Sequence, residues 1–308
     1  MDLVTRVFRI PLTTRFREIQ ERTGVLIEGP AGWGEFSPFP DYGPAVGARW
    51  LPCALEAANE GWPEPVRDSI PVNVTVPAVD PERAHQIVAA SSCGTAKVKV
   101  AEGDDEERVA AVRDALGPGG MLRVDANGAW TIDEAERAIN ALDRYDLEYV
   151  EQPVATLEEM AELRRRVDVP IAADESVRTA DDPLRVAGLE AADIVVLKVQ
   201  PLGGVRRALE VAGASELPCV VSSALETSVG IAAGVALAAA LPELPYACGL
   251  ATVELLAGDV VTEPLLPLDG AIAVRRPSVD SKLIEKWAAD EPTTARELAR
   301  LRAAEVHP

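Results

Sequence analysis

Six charged side chains stand at or near the ends of otherwise apolar, strand-like runs: Lys97 and Lys99, Asp125, Glu151, Asp174 and Lys198. Only five of the 30 basic residues are lysine, and three of those five belong to this set. Arginine keeps its proton at any working pH, whereas lysine gives it up when burial or nearby cations make the charged form costly. Three carboxylates with no His or Cys beside them suit a hard cation, best Mg²⁺ with Mn²⁺ as a substitute, completed by water or substrate oxygens. Together these groups describe one reaction type. A small-molecule carboxylate binds the metal, a lysine removes its α-proton, and the metal steadies the enediolate that forms. Crowded, buried cations predict at least one lysine with a strongly lowered pKa.

A repeated architecture must bring these residues together. Eight runs carry the pattern: 71–76, 96–100, 122–125, 149–151, 171–174, 194–198, 219–222 and 246–249. With Lys99, Asp125, Glu151, Asp174, Lys198, Ser222 and Gly249 as markers, the steps are 26, 26, 23, 24, 24 and 27 residues. That is the length of a strand plus a helix, and an array of this count predicts an α/β fold, a TIM-like (β/α)7β barrel. Active sites of such barrels lie at the C-terminal ends of the strands, where the six charges fall. Side chains alternate along a strand, so Lys97 and Lys99 share the barrel mouth while Val98 and Val100 face the helices. The second and sixth strands oppose each other, which sets Lys99 across from Lys198 with the three acids on the arc between.

The intervening segments read as helices. Thr131-Ile-Asp-Glu134 and Thr156-Leu-Glu-Glu159 are capping boxes. Pro81 opens a helix after Asp80, and Gly117 to Gly120 close the one begun near Asp104. The apolar stretch Val229 to Leu241 is 13 residues, too short to span a bilayer and predicted to be a buried helix. Residues 1–66 lie outside the period and predict an α+β capping domain, with strands near 4–12 and 24–27 and a helical pattern at 44–59. The barrel is expected over 67–254. Residues 255–308 are expected to return to cap and barrel in polar helical stretches broken at Pro292.

Composition removes several function classes. The chain has 308 residues and a net charge of −20, which leaves no basic face for nucleic acid. No membrane segment is expected, nor a secretory leader after Met1-Asp2, so the protein is expected in the cytoplasm. Cys53, Cys93, Cys219 and Cys248 show neither zinc-site nor disulfide spacing. The sequence carries no signal of oligomeric state. Taken singly, Asp125 or Asp174 reads as well as a helix cap or loop acid, Glu151 a little less so, and each lysine as a snorkelling barrel-end side chain. Their joint order favours the metal-and-lysine site over a Schiff-base aldolase or a non-catalytic barrel. Gly203-Gly204 opens a helix and reads either as an anion site or as a tight turn.

Lys97-Val-Lys99, Asp125-Ala-Asn127, Glu151-Gln-Pro153, Asp174-Glu-Ser176 and Lys198-Val-Gln-Pro-Leu-Gly-Gly204 resemble the enolase superfamily, in its muconate-lactonizing subgroup, over nearly the whole chain. The resemblance implies Asp125, Glu151 and Asp174 as magnesium ligands and Lys99 and Lys198 as the catalytic pair. It implies Lys97 as an accessory cation, Asn127 and Glu175 as groups behind the ligands, and the cap as a cover over substrate. Within the subgroup, dipeptide epimerases hold a substrate ammonium with Asp-x-Asp where this chain reads Cys248-Gly-Leu-Ala-Thr252. The short cap, Arg123 as a further accessory residue, and Ser222-Ser-Ala-Leu-Glu-Thr-Ser228 are similar instead to the branch that dehydrates a cyclohexadiene carboxylate bearing a succinyl group. Ser222, Ser223 and the Gly249 backbone are then candidates for the succinyl end. The rival within the subgroup is an N-acylamino acid racemase using both lysines as bases.

Overall fold

The computed structural model describes residues 4–16, 19–177 and 182–306; Met1 and Asp2, on which the leader reading rests, lie outside them. The chain opens with an antiparallel sheet of β1 (Val4–Phe16), β2 (Ile19–Gly29) and β3 (Gly32–Phe36), in that order. Two helices follow, α1 (Pro44–Ala48) and α2 (Leu51–Asn59). The single helical pattern at 44–59 is therefore split, because Pro52 has no N–H to carry the first helix's ladder onward. α2 lies so close on β3 that a Cβ at Gly34 would sit 1.9 Å from the Ala54 carbonyl oxygen. Only glycine permits that approach.

The period then delivers its strands and helices. They are β4 (Ser69–Pro71), β5 (Val74–Val76), α3 (Pro81–Ala90), β6 (Thr95–Lys99), α4 (Asp105–Leu116), β7 (Met121–Asp125) and α5 (Ile132–Leu142). After these come β8 (Leu147–Glu151), α6 (Leu157–Arg164), β9 (Ile171–Ala173), α7 (Asp182–Gly188), β10 (Ile194–Leu197), α8 (Val199–Leu202), α9 (Val205–Ser215), β11 (Cys219–Val221) and α10 (Ser228–Ala240). β5 to β11 form one curled parallel sheet in sequence order, the TIM-barrel-like α/β fold. Its two ends meet through residues 246–249. The Cys248 N–H donates to the Pro71 carbonyl at 2.7 Å and its carbonyl accepts from Asn73 N–H at 3.0 Å. Gly249 N–H donates to the Val221 carbonyl at 2.8 Å. The eighth run is thus a pair of single bridges, Val72 to Cys248 and Ser222 to Gly249, rather than a full strand.

Both capping boxes form, at Thr131 with Glu134 and Thr156 with Glu159. The main core lies between the sheet and its helices and includes Val98, Val124 and Val150. A smaller cluster of Tyr149, Ala172, Ile194, Val196 and Val220 fills the barrel interior. α10 is buried from Ser228 to Ala239, and no helix among the described residues is long and apolar enough to cross a membrane. Beyond the barrel, β12 (Ala271–Ala273) pairs antiparallel with β4. Then α11 (Ser281–Lys286) leads to α12 (Glu291–Glu305), which packs on α1, β1 and β2. Pro292 does not break a helix. It sits in the first turn of α12, where a missing N–H costs nothing, behind the cap from Asp290 to Thr293 N–H.

Candidate active site

Strand register assembles the mouth. Lys99 is level with Asp125, Asp125 with Glu151, and Glu151 with Ala172, two residues before Asp174. Residues level on neighbouring strands, or two apart on one, point to the same face. Lys97, Lys99, Asp125, Glu151 and Asp174 therefore converge, and Lys198, at the end of β10, meets them from the far side through its ion pair with Asp174. The three carboxylates are each 1% exposed, which makes every charge there dependent on a neighbour.

Those neighbours are mostly lysines. Lys97 Nζ donates to both Glu151 oxygens, at 2.7 and 2.9 Å, and stands 3.3 Å from Asp125. Lys99 Nζ donates to Asp125 at 2.5 Å and to Asn127 Oδ1 at 2.7 Å. Asn127 in turn donates its N–H to Asp125 at 3.0 Å and its amide to Glu175 at 3.1 Å. Burial works against an ionised Asp125, yet the charges of Lys99 and Lys97 hold it well below the usual carboxylate range. Glu151 goes the other way: burial and the adjacent Asp125 charge push it up to about 8. The expectation of a lowered lysine fails at Lys97. Burial does oppose its charge, but Glu151 and Asp125 outweigh that and raise it above the ordinary lysine value.

Among the described residues no group of three or more His, Cys, Asp or Glu side chains is gathered in a metal-binding arrangement; each carboxylate of the mouth is paired with a lysine. In chemistry and placement the donor set still fits a hard divalent cation. Three buried carboxylates rise from three adjacent strands, and burial with the neighbouring Asp125 charge makes Glu151 hard to ionise even beside Lys97.

Two family profiles match this chain, one described as "Enolase C-terminal domain-like" over residues 80–278 and one as "Enolase N-terminal domain-like" over 7–58. The chain belongs to the enolase superfamily. Curated relatives named o-succinylbenzoate synthase include one from Thermobifida fusca, 62% identical over 97% of this chain and 96% of the relative. Another, from Mycolicibacterium smegmatis, is 53% identical over 94% and 92%. A solved muconate lactonizing enzyme from Pseudomonas fluorescens superposes with a TM-score of 0.82 at 23% identity, over 94% of this chain and 98% of that one. An N-succinyl Arg/Lys racemase from Bacillus cereus superposes at 0.81 with 20% identity, over 94% and 99%. At those identities the two structures speak for the fold alone. This enolase-superfamily chain is an enzyme, and its relatives' names agree with a small-molecule substrate.

A cleft partly open to solvent lies over the mouth. Lys97, Lys99, Asp125, Asn127, Lys198, Ser222, Ser223 and Gly249 all line it, so these sequence candidates meet in one place. Gly249 makes room for its neighbour, since a Cβ there would stand 2.7 Å from Ser222 Oγ. Ser223 is paired with Thr252 at 2.7 Å. Arg123 is elsewhere. It lies in the barrel interior at 1% exposure, bound to Glu148 and to the Ala247 carbonyl at 2.7 Å, with its guanidinium 4.7 Å from the Tyr149 ring centre. The register shift between β7 and β8 near Arg123 lets Glu148 reach it.

Several contributors escaped sequence reasoning. Phe16, at the end of β1, and Phe39, just after β3, reach the cavity, and Phe16 lies 5.4 Å from Lys99 Nζ. Gln152, left-handed at φ 37° and fully buried, accepts from Asp174 N–H at 3.0 Å and Ser176 N–H at 3.2 Å. It thereby fixes the end of β8 against the end of β9. Its place in Glu151-Gln-Pro153 was the one available signal. Gly203-Gly204 is a turn between α8 and α9, and the α9 amides already have an anion: Glu56 of α2 accepts from Val205 N–H at 2.5 Å and Arg206 N–H at 3.2 Å.

Proposed function

We propose that this chain is an o-succinylbenzoate synthase, converting 2-succinyl-6-hydroxy-2,4-cyclohexadiene-1-carboxylate to 2-succinylbenzoate by syn dehydration in menaquinone biosynthesis. The single strongest support is the 62% identity to a curated enzyme of that name across nearly the full length of both chains. The mouth supplies groups that suit the reaction. Asp125, Glu151 and Asp174 would hold Mg²⁺ or Mn²⁺, which when bound supplies positive charge to the substrate carboxylate as the α-proton leaves.

The chain's own residues do the rest. Lys99, anchored by Asn127, faces the cavity and takes the α-proton from the ring carbon bearing the carboxylate. It then returns a proton to the departing hydroxyl on the same face, so that water leaves and the ring becomes aromatic. Lys198, on the opposite side, opposes the negative charge that builds on the carboxylate. Lys97 keeps Glu151 and Asp125 compensated. Ser222, Ser223 and the Gly249 backbone form the wall offered to the succinyl end. All four cysteines are free and buried, which suits a reducing cytoplasm.

The same lysine pair admits the racemase reading, in which each lysine serves one face of an N-succinylamino acid. Proton NMR in D₂O separates the two. Loss of the cyclohexadiene signals with growth of aromatic ones supports the synthase; exchange of the α-proton of an N-succinylamino acid without any dehydration activity replaces it with the racemase.

A further inference from the structure

The substrate cavity is walled in part by Ala224 and Leu225, on the loop that follows β11, and by Phe39 of the cap. Within that loop Ala224 N–H donates to Glu226 at 2.7 Å, while the Ala224 and Leu225 carbonyls are met from outside it. Leu225 is in the left-handed region at φ 64°, a conformation that a branched side chain leaves unless its surroundings impose it. The imposing group is Arg22 on β2, fully buried at 1% exposure. Its Nε donates to the Leu225 carbonyl at 2.9 Å, and its Nη2 donates to the Ala224 carbonyl at 3.1 Å and to the Ser37 carbonyl. Its guanidinium carbon lies 4.5 Å from the centre of the Phe39 ring.

Glu35 on β3 holds the next stretch by the opposite polarity. It accepts from Thr227 N–H at 3.2 Å, Thr227 Oγ at 2.5 Å and Gly230 N–H at 3.1 Å. Ser37 ties the two together, donating its hydroxyl to Glu35 at 2.6 Å and its N–H to Gln200, two residues beyond Lys198, at 3.4 Å. No carboxylate hydrogen-bonds Arg22 in the described contacts; a buried guanidinium has been spent on backbone carbonyls of two different regions. Such bonds fix position, since a shift of either partner leaves a buried charge unsatisfied.

We infer that Arg22, with Glu35 beside it, is a positioning residue: it sets the 222–228 loop and Phe39 against each other and so fixes the width of the substrate cavity. The inference rests on the proposed synthase reading for its kinetic consequence, while its structural consequence stands apart from any substrate.

Two measurements on R22K, in the full chain, test it. Hydrogen–deuterium exchange is expected to quicken about tenfold or more across 222–230 while β6 and β7 keep wild-type rates, because only the local unit has been loosened. With the cyclohexadiene substrate, KM is expected to rise about tenfold with kcat reduced much less, as a misplaced binding wall dictates. A general loss of folding would speed exchange everywhere instead. Exchange and KM both within about twofold of wild type would overturn the inference. Faster exchange with unchanged KM would overturn its link to the cavity. If the wild type does not turn over the substrate, the synthase reading fails and the exchange result alone decides the clamp. Should R22K not fold, E35Q, which turns one of the two acceptor oxygens shared by Ser37, Thr227 and Gly230 into a donor, carries the same measurements and the same criteria.

Discussion

Two buried sets of charge sit within this molecule, and they are satisfied in different ways. At the barrel mouth, side chain meets side chain: Lys97 bonds Glu151, Lys99 bonds Asp125 and Lys198 bonds Asp174. At the seam between the N-terminal sheet with α2 and the barrel, charge meets mostly backbone: Arg22 takes carbonyls, and Glu35 and Glu56 take amides, with Thr227 Oγ and the Arg206 guanidinium beside them. Ion pairs between side chains can change partner when another charge arrives, and on the reading proposed above a divalent cation and a substrate carboxylate would take the lysines' place. Charges fastened to main chain are not exchangeable without moving the fold. The mouth is built to change partners and the seam to keep them.

The largest effect expected from this contrast is at the mouth. Lys99→Ala is expected to lower kcat for dehydration by about 10²- to 10⁴-fold, the usual contribution of a general base, with a circular dichroism spectrum like that of the wild type. Retention of most activity would mean that another group takes the proton. Next, Asp174→Asn is expected to abolish tight Mn²⁺ binding, read as free Mn²⁺ by electron paramagnetic resonance. Unchanged binding would remove Asp174 from the ligand set and undo the idea that its pairing with Lys198 is exchangeable.

At the seam the effects fall on stability. Glu56→Ala is expected to cost about 1–3 kcal/mol in urea unfolding, since the α9 amides at Val205 and Arg206 lose their buried acceptor. No change would show that water replaces it freely. The smallest effect concerns pH. Burial holds the Glu35 carboxyl up at about 7 against an ordinary 4.5. Its folded pKa is raised, so its contribution to stability is complete below pH about 4.5 and is lost as pH rises to about 7. In Glu35→Gln that part of the fall in stability with pH is expected to disappear; an unaltered pH profile would mean Glu35 does not titrate there.

The mouth was far more legible in the sequence than the seam, for a physical reason. Strand alternation and a near-constant period place Lys99, Asp125 and Glu151 level on one face with no knowledge of tertiary contacts. The same rules give Val98 and Val124 to the helices. Pairing is a different matter. That Lys97 sits between Glu151 and Asp125, and so gains rather than loses affinity for its proton, depends on side-chain distances that periodicity does not carry. The contacts of the seam are remote in sequence, Arg22 with Leu225 and Glu56 with Val205, and no local pattern announces them. Arg123 shows a different limit: its position two residues before Asp125 gives its face of the strand, but not that its guanidinium turns to Glu148 and the Tyr149 ring. The eighth run was visible by period and weak in fact, because residues 246–249 need only single bridges to close the sheet.

The most direct test of the central claim is turnover of the cyclohexadiene carboxylate by protein stripped with chelator and then supplied with Mg²⁺, followed by ultraviolet absorbance. The account predicts no product from the stripped protein and restoration of 2-succinylbenzoate formation on adding the cation. Equal turnover with and without chelator, or none from folded, metal-supplied protein, would contradict it.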